Sequence, residues 1–127
     1  MNKVLNFIRT LFSYRKTKKL LQASSQLQKA IDEAERLRLE DGKRRFVYFD
    51  PAQRKLVPLT YFMRKGYGDS YQYLRRRGRF TKPMSYQEFR EHSYYYTGSR
   101  NGATSCPEEE QKAKALRWQQ DYLRMKR

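Results

Sequence analysis

The sequence is poor in the residues from which most catalytic and metal sites are built. It contains one cysteine, Cys106, and one histidine, His92. A single cysteine excludes an intramolecular disulfide and any zinc site that needs several cysteines. A metal would have to be held by His92 and carboxylates such as Glu88, and a surface contact between those two side chains is the simpler interpretation. The sequence therefore predicts no metal site and no cofactor.

Cys106 is also a poor candidate nucleophile. It precedes a predicted helix, a position that lowers the pKa of a thiol. However, a nucleophilic thiol needs a base beside it, and His92 is the only histidine available. We therefore predict no catalytic residue, no small-molecule substrate and no enzymatic activity.

Long apolar runs are missing as well. Nothing approaches the roughly 18 consecutive apolar residues of a membrane span. Near the amino terminus, Asn6, Arg9 and Thr10 interrupt the apolar residues, and no small-residue cleavage site follows. We therefore predict a protein that is not secreted and lies in the cytoplasm or inside a virion or similar particle.

Acidic residues are scarce relative to basic ones. Against 29 Lys and Arg there are 13 Asp and Glu, which gives a formal net charge of +16. Such a charge repels itself in the free protein, and a polyanion relieves the repulsion. The charge predicts nucleic acid as the first candidate partner and an anionic membrane surface as the second.

The purely aliphatic core must be thin. Hydrophobic residues make up 38% of the chain, and 11 tyrosines account for much of that share. A thin core stabilises a chain weakly against its conformational entropy. We therefore expect an extended protein that a partner helps to stabilise.

Residues 1–42 are predicted to form amphipathic helices. Within residues 3–14, the apolar side chains fall mostly on one helical face. We interpret this face as a docking surface for protein. The alternative is a helix lying in a membrane interface, followed by the basic residues Arg15, Lys16, Lys18 and Lys19.

From Leu20 the apolar spacing alternates between three and four residues. This is a heptad pattern, formed by Leu20, Ala23, Leu27, Ala30, Ala34 and Leu37 and widened by Ile31 and Leu39. Alanine buries little area, so packing against the protein's own domain or a neighbour is favoured over a free dimer. Gly42 is predicted to end the helix in a left-handed conformation. The candidate protein-interaction residues of both segments are Leu5, Ile8, Leu11, Phe12, Leu20, Leu27, Ile31 and Leu37.

Residues 43–97 are predicted to form a basic, aromatic α+β core that begins with a β-hairpin at about residues 44–60. Phe46–Phe49 and Leu56–Leu59 have strand composition, and Asp50-Pro51 favours a turn between them. Pro58 lacks a backbone donor, so the second strand must lie at a sheet edge. A hairpin is marginal alone and needs helices against one face.

Short helices are predicted to follow the hairpin. Thr60 can cap a single turn over residues 61–63, and a second helix is predicted at residues 70–77. Between them, residues 66–70 (GYGDS) have two glycines but no phosphate-binding pattern, and are predicted to form a turn. Ser85 and Glu88 have the spacing of a capping box for a helix from Tyr86 to about Tyr96.

The carboxyl-terminal part is predicted to be a linker and a helix. Residues 98–106 are rich in glycine and polar residues and are predicted to be flexible. Ser105 and Glu108 can form a capping box for a helix over residues 107–127, with Pro107 in its first turn. The predicted fold is thus α+β and predominantly helical, with a long N-terminal helix, a small hairpin, short helices and a C-terminal helix.

Positive charge and aromatic rings are concentrated in the middle of the chain. Between Lys43 and Phe80 there are eleven Lys or Arg and two acids. We predict phosphate contacts from the cations and base stacking from the tyrosines, with the strongest expectation for residues 64–79. The alternative is that the rings form the core and the charges are its solvated rim. The candidate anion-binding residues are Arg44, Arg45, Arg64, Lys65, Tyr67, Tyr71, Arg75, Arg76, Arg77 and Arg79.

These observations predict a non-enzymatic basic protein that binds nucleic acid mainly through phosphates. No recognised base-reading motif is present, so sequence-specific binding is not predicted. The alternative function is a small structural component of a virion or other large particle, docking on neighbouring protein subunits. The two functions are compatible if the particle contains nucleic acid.

Overall fold

The fold was derived from a computed structural model. It describes the backbone of residues 2–61, 63–64, 67–68 and 85–125, and the side chains within 15–61 and 85–125. The elements in chain order are the helix α1 (Asn2–Asp41), the strands β1 (Phe46–Asp50), β2 (Lys55–Leu59), β3 (Met63–Arg64) and β4 (Tyr67–Gly68), the helix α2 (Tyr86–His92), the strand β5 (Tyr95–Tyr96) and the helix α3 (Glu108–Met125). This mostly helical α+β arrangement confirms the predicted fold class.

The helix α1 is continuous over 40 residues, a length of about 60 Å at 1.5 Å per residue. The two amphipathic segments of the sequence therefore join into one rod. Gly42 ends it as predicted, with φ of 75° and its amide donating to the carbonyl of Arg38 at 2.6 Å. The heptad alanines are buried, but Leu39 is 69% exposed, so the prediction that Leu39 widens the apolar face is wrong.

The buried face of α1 packs against α3 within the same chain. The indole of Trp118 donates to the main-chain carbonyl of Ala23 at 2.9 Å, a contact that needs the small alanine side chain. Farther along α3, Tyr122 donates to the side chain of Gln22. The heptad pattern thus serves the protein's own core, one of the two uses predicted for it.

The predicted hairpin is present. Strands β1 and β2 pair antiparallel from Phe46 opposite Leu59 to Asp50 opposite Lys55. The sheet order is β2-β1-β5, which places Pro58 in an edge strand as expected. The side chain of Asp50 accepts the amide of Ala52 at 2.9 Å and stabilises the turn.

The predicted end of α2 is wrong. Its capping box is present: Glu88 N donates to Ser85 Oγ, and the Glu88 side chain accepts from Ser85 N. The helix nevertheless ends at His92, Ser93 is extended, and Tyr95–Tyr96 pairs with β1 instead of continuing the helix.

The reason for the early end is a set of three hydrogen bonds made by consecutive tyrosines, the tyrosine segment (residues 94–96). Tyr94 donates to Asp121 at 2.6 Å, and Tyr96 donates to Glu110 at 2.6 Å, both on α3. Tyr95 points the other way and donates to Glu35 on α1 at 2.8 Å. Only an extended backbone alternates neighbouring side chains between two faces in this manner.

Two further differences concern the region after the hairpin. Met63 was predicted in a helical turn but lies in β3, and Tyr67–Gly68, predicted within a turn, forms β4. The two strands pair antiparallel, with Met63 opposite Gly68. The helix predicted at residues 70–77 lies outside the described residues.

Residues 98–106 form a turn with internal and external hydrogen bonds. Arg100 N donates to the carbonyl of Gly42, and Cys106 N donates to that of Tyr96. Flexibility of this segment stays a prediction. The helix α3 begins at Glu108, later than a cap at Ser105 would place it, so Glu108 lies in the first helical position and not in the third.

Replacing Ala23 by leucine is expected to destabilise the fold. Ala23 is fully buried under Trp118, so added methylenes would displace the indole and cost about 1–3 kcal/mol. The matched control is Ala113→Leu, an exposed helical position, where we expect a change within about 0.5 kcal/mol. Urea unfolding measures both. Equal effects of the two substitutions would contradict the packing described here.

Candidate nucleic-acid interface

The predicted anion-binding residue Arg44 is occupied by internal contacts. Its guanidinium donates to the carbonyls of Thr97 and Thr104, each at 2.7 Å, and to the hydroxyl of Tyr86 at 2.9 Å. It also lies 4.7 Å from the centre of the Tyr96 ring. These contacts join the start of β1 to the segment after β5. They use three of the five N–H donors of the guanidinium, so Arg44 has a structural role within the fold.

The neighbouring Arg45 is likewise internal. Its side chain is 9% exposed and makes a two-pronged ion pair with Asp41, with a shortest distance of 2.6 Å. Hydrogen bonds from Arg45 and from the amide of Lys43 lower the pKa of Asp41 to about 2. The carboxylate is therefore charged at neutral pH, and the pair ties the end of α1 to the start of the sheet.

The other predicted anion-binding residues lie in β3 and β4 or outside the described residues. Arg64 and Tyr67 lie in β3 and β4, where the backbone alone is described. The remaining candidates, which lie outside the described residues, are Lys65, Tyr71, Arg75, Arg76, Arg77 and Arg79. Their phosphate and base contacts stay predictions.

The predicted protein-interaction residues divide into two groups. Leu27 is buried in the protein's own core, Ile31 packs against that core, and Leu20 and Leu37 are half-buried. Those four side chains are therefore wholly or partly engaged within the chain. The other four lie in the first part of α1, where the structure describes the helical backbone but not the side chains. They are Leu5, Ile8, Leu11 and Phe12.

Two cations of α3 donate hydrogen bonds to the backbone carbonyls at the carboxyl-terminal end of α2. Lys114 is 4% exposed, and its ammonium donates to the carbonyls of Arg90, Glu91 and Ser93 at 2.6–3.0 Å. Arg117 donates to the carbonyls of Glu91, His92 and Ser93. Positive groups at this end of a helix also complement its dipole. These cations are structural, although sequence reasoning placed them in an ordinary amphipathic helix.

The buried position of Lys114 changes its acidity. Burial and the neighbouring Arg117 lower the pKa of Lys114 to about 8. The three carbonyl acceptors match the three N–H donors of an ammonium, and the side chain is charged at pH 7. The fold thus holds a positive charge in its interior, where no external anion reaches it.

Several acidic residues are also engaged by contacts within the protein. Burial and the hydrogen bond to Glu35 raise the pKa of Tyr95, and burial and the bond to Glu110 raise that of Tyr96. Both hydroxyls therefore stay protonated donors to carboxylates at neutral pH. Glu40 pairs with Arg36 at 2.8 Å. Carboxylates used in this manner are poorly placed to neutralise distant surface cations.

Most described aromatic rings belong to the core. Phe46, Tyr48, Phe89 and Trp118 are at most 1% exposed, and the tyrosine segment is buried beside them. Tyr86 is 42% exposed, but its ring packs edge-on against Phe46 and its hydroxyl accepts from Arg44. Within the described part of the chain, most rings thus form the core, and Tyr86 is the ring with the largest exposure.

A group of exposed cations lies on α1, ahead of its buried face. The α1 basic face consists of Arg15, Lys16, Lys18 and Lys19, all of them exposed. No acid occurs in the sequence before Asp32. The predicted anion-binding residues did not include this group, although the acid-free stretch around it is visible in the sequence.

A cleft separates α1 from α3 near their middle. Its volume is about 270 Å³, and its walls include Leu27, Ile31, Tyr95, Gln111 and Trp118. The polar atoms of the two aromatic walls are turned away, since Tyr95 bonds Glu35 and Trp118 bonds Ala23. The cleft therefore presents mainly carbon surface.

The environment of Cys106 differs from the prediction. The residue is 2% exposed, and burial raises the pKa of its thiol, whereas the predicted helix start would have lowered it. Within the described ranges, no group of three or more His, Cys, Asp or Glu side chains is arranged to hold a metal ion. None of the helices described has the length and apolarity needed to cross a membrane.

Comparison with protein-family models, curated proteins and solved structures finds no match to this chain.

Replacing Arg44 by alanine is expected to lower stability by at least about 2 kcal/mol, because three hydrogen bonds to a charged group are lost. Arg36→Ala is the control: it removes the same charge from a side chain that is 60% exposed and should cost at most about 0.5 kcal/mol. Chemical denaturation measures both. A loss for Arg44→Ala no larger than that for Arg36→Ala would show that the internal contacts of Arg44 are unimportant.

Proposed function

We propose that this protein is a non-enzymatic nucleic-acid-binding protein that contacts phosphates. The proposal is carried by one observation: a group of cations on α1 is exposed and has no acidic residue near it in the helix, while four of the described carboxylates are held by contacts within the fold. The engaged carboxylates include Glu35, Asp41, Glu110 and Asp121, which are partnered by tyrosines or Arg45. The exposed cations include the α1 basic face and Lys29 and Lys55.

This division has an electrostatic consequence. A carboxylate held by a buried tyrosine stays in place and pairs only with cations beside it, as Glu35 does with Arg38 at 3.0 Å. It leaves the distant α1 basic face without a counter-charge. Much of the net charge of +16 is therefore expressed as a positive field around the molecule. A polymer with closely spaced negative charges gains most from such a field, because each contact releases a condensed counterion.

A second candidate function, a particle component that docks on protein neighbours, is favoured by the shape of α1. The helix has 40 residues, yet its first fully buried side chain in the described part is Ala23. Residues 15–19 are exposed, which leaves that length of helix open to a neighbour. The same length of helix can serve nucleic acid and protein in one particle.

Salt dependence tests the first function directly. With a fluorescent 20-nucleotide duplex or single strand, we expect the affinity to fall more than tenfold between about 50 and 200 mM salt, because phosphate contacts release counterions. The protein is first treated with nuclease to remove bound nucleic acid. An affinity that stays constant over this range, or no binding at about 50 mM salt, would contradict phosphate contact.

A further inference from the structure

The α1 basic face concentrates positive charge on one side of a rigid helix. Arg15 and Lys18 are three residues apart, as are Lys16 and Lys19, and Arg15 and Lys19 are four apart. Those spacings bring side chains together on a helix surface, and like charges there repel. The repulsion is uncompensated within the sequence, since no acid lies within four residues of any of these cations.

A helix that served only to pack on its own core would not need such a cluster. An external anion relieves the repulsion between these cations.

The dimensions of α1 suit a groove that is bordered by phosphates on both sides. The four Cα atoms span about 6 Å along the axis, and a helix with its side chains is about 10–12 Å wide. The major groove of a DNA duplex is about 12 Å wide and admits a helix. Long Lys and Arg side chains on one side of α1 can therefore reach the phosphates that border a groove.

The charge density of the ligand favours a double strand over a single strand. A duplex carries one negative charge per about 1.7 Å of its axis because both strands contribute, so a contact made through charge alone gains more from a duplex than from one of its strands.

We propose that Arg15, Lys16, Lys18 and Lys19 form a binding face for the phosphate backbone of double-stranded nucleic acid. The proposal rests on the function proposed above and adds its site and its ligand class. Cations behind an apolar helical face, such as that of residues 3–14, can also bind an anionic lipid surface, so vesicles are included in the test as the competing ligand.

The test compares duplex and single strand on two variants of the full chain. One variant replaces the four cations of the α1 basic face by glutamine. The matched control replaces four other exposed cations by glutamine: Lys29, Arg54, Lys55 and Lys112. Both variants lose four charges, and the one ion pair among the described residues that is lost in the control, between Lys112 and Glu108, is long at 3.8 Å and exposed. Urea unfolding verifies that each variant is folded, which the exposure of all eight side chains leads us to expect.

Binding is measured by fluorescence anisotropy with a 20-base-pair DNA duplex, an RNA duplex of the same length and the separate strands. For the unchanged protein we expect at least one duplex to bind at least tenfold more tightly than its strands. The face variant should lose at least tenfold in duplex affinity, and the slope of log K against log salt should become shallower by about three to four units. The control variant should lose less than half as much duplex affinity, and its salt slope should change by less than half as much.

Each other outcome overturns a definite part of the proposal. Equal affinity for duplex and strand contradicts the ligand class and leaves the proposed function standing. Equal losses for the two variants contradict the site. Absence of binding to all the nucleic acids contradicts the proposed function itself. Binding to phosphatidylserine vesicles that depends on the four cations, without binding to nucleic acid, would assign the face to a lipid surface instead.

Discussion

The fold depends on hydrogen bonds between buried tyrosine hydroxyls and helix carboxylates. The tyrosine segment lies between α1, α3 and β1, and its three hydroxyls reach Asp121, Glu35 and Glu110. Hydrogen bonds to charged acceptors are stronger than neutral ones, and a thin aliphatic core makes them more important here. The interior ammonium of Lys114 supports the same region from the other side, by capping the helix that leads into the segment.

This way of building a core has a consequence for the surface. Aromatic residues replace the missing aliphatic ones, and their hydroxyls take up carboxylates that would otherwise lie free among the surface cations. Four of the acids, Glu35, Asp41, Glu110 and Asp121, thus stabilise contacts within the fold, and the α1 basic face is left without acidic neighbours. Stability and polyanion binding are in this view two results of a single distribution of charge.

Local patterns in the sequence were sufficient to predict those parts of the fold whose conformation is set by residues close in the chain. The heptad spacing predicted the buried face of α1, Gly42 its end, Pro58 the edge strand, and Ser85 with Glu88 the start of α2. The strand β5 was missed because its conformation is set by partners far away in sequence: Tyr95 bonds Glu35, 60 positions earlier. The periodicity of residues 86–96 favours a helix, but those tertiary hydrogen bonds require an extended backbone at residues 94–96.

The same reason limited the prediction of the site. Charge density along the chain cannot distinguish a cation that binds internal carbonyls, such as Arg44, from one that faces solvent, such as Lys18. The acid-free stretch before Asp32 is the signal that points to the α1 basic face, because these cations have no counter-charge within reach on the helix. The proposed site therefore rests on the absence of nearby acids and not on the number of bases.

The most direct test of this account maps the contact by NMR, using the ¹⁵N-labelled full chain titrated with a 20-base-pair duplex. The account predicts that the largest amide shift changes fall on residues 15–19, while Arg44, Arg45 and the tyrosine segment change little. If the largest changes instead fall on Arg44 and Arg45, or residues 15–19 do not respond, the assignment of outer cations to binding and inner cations to stability is contradicted.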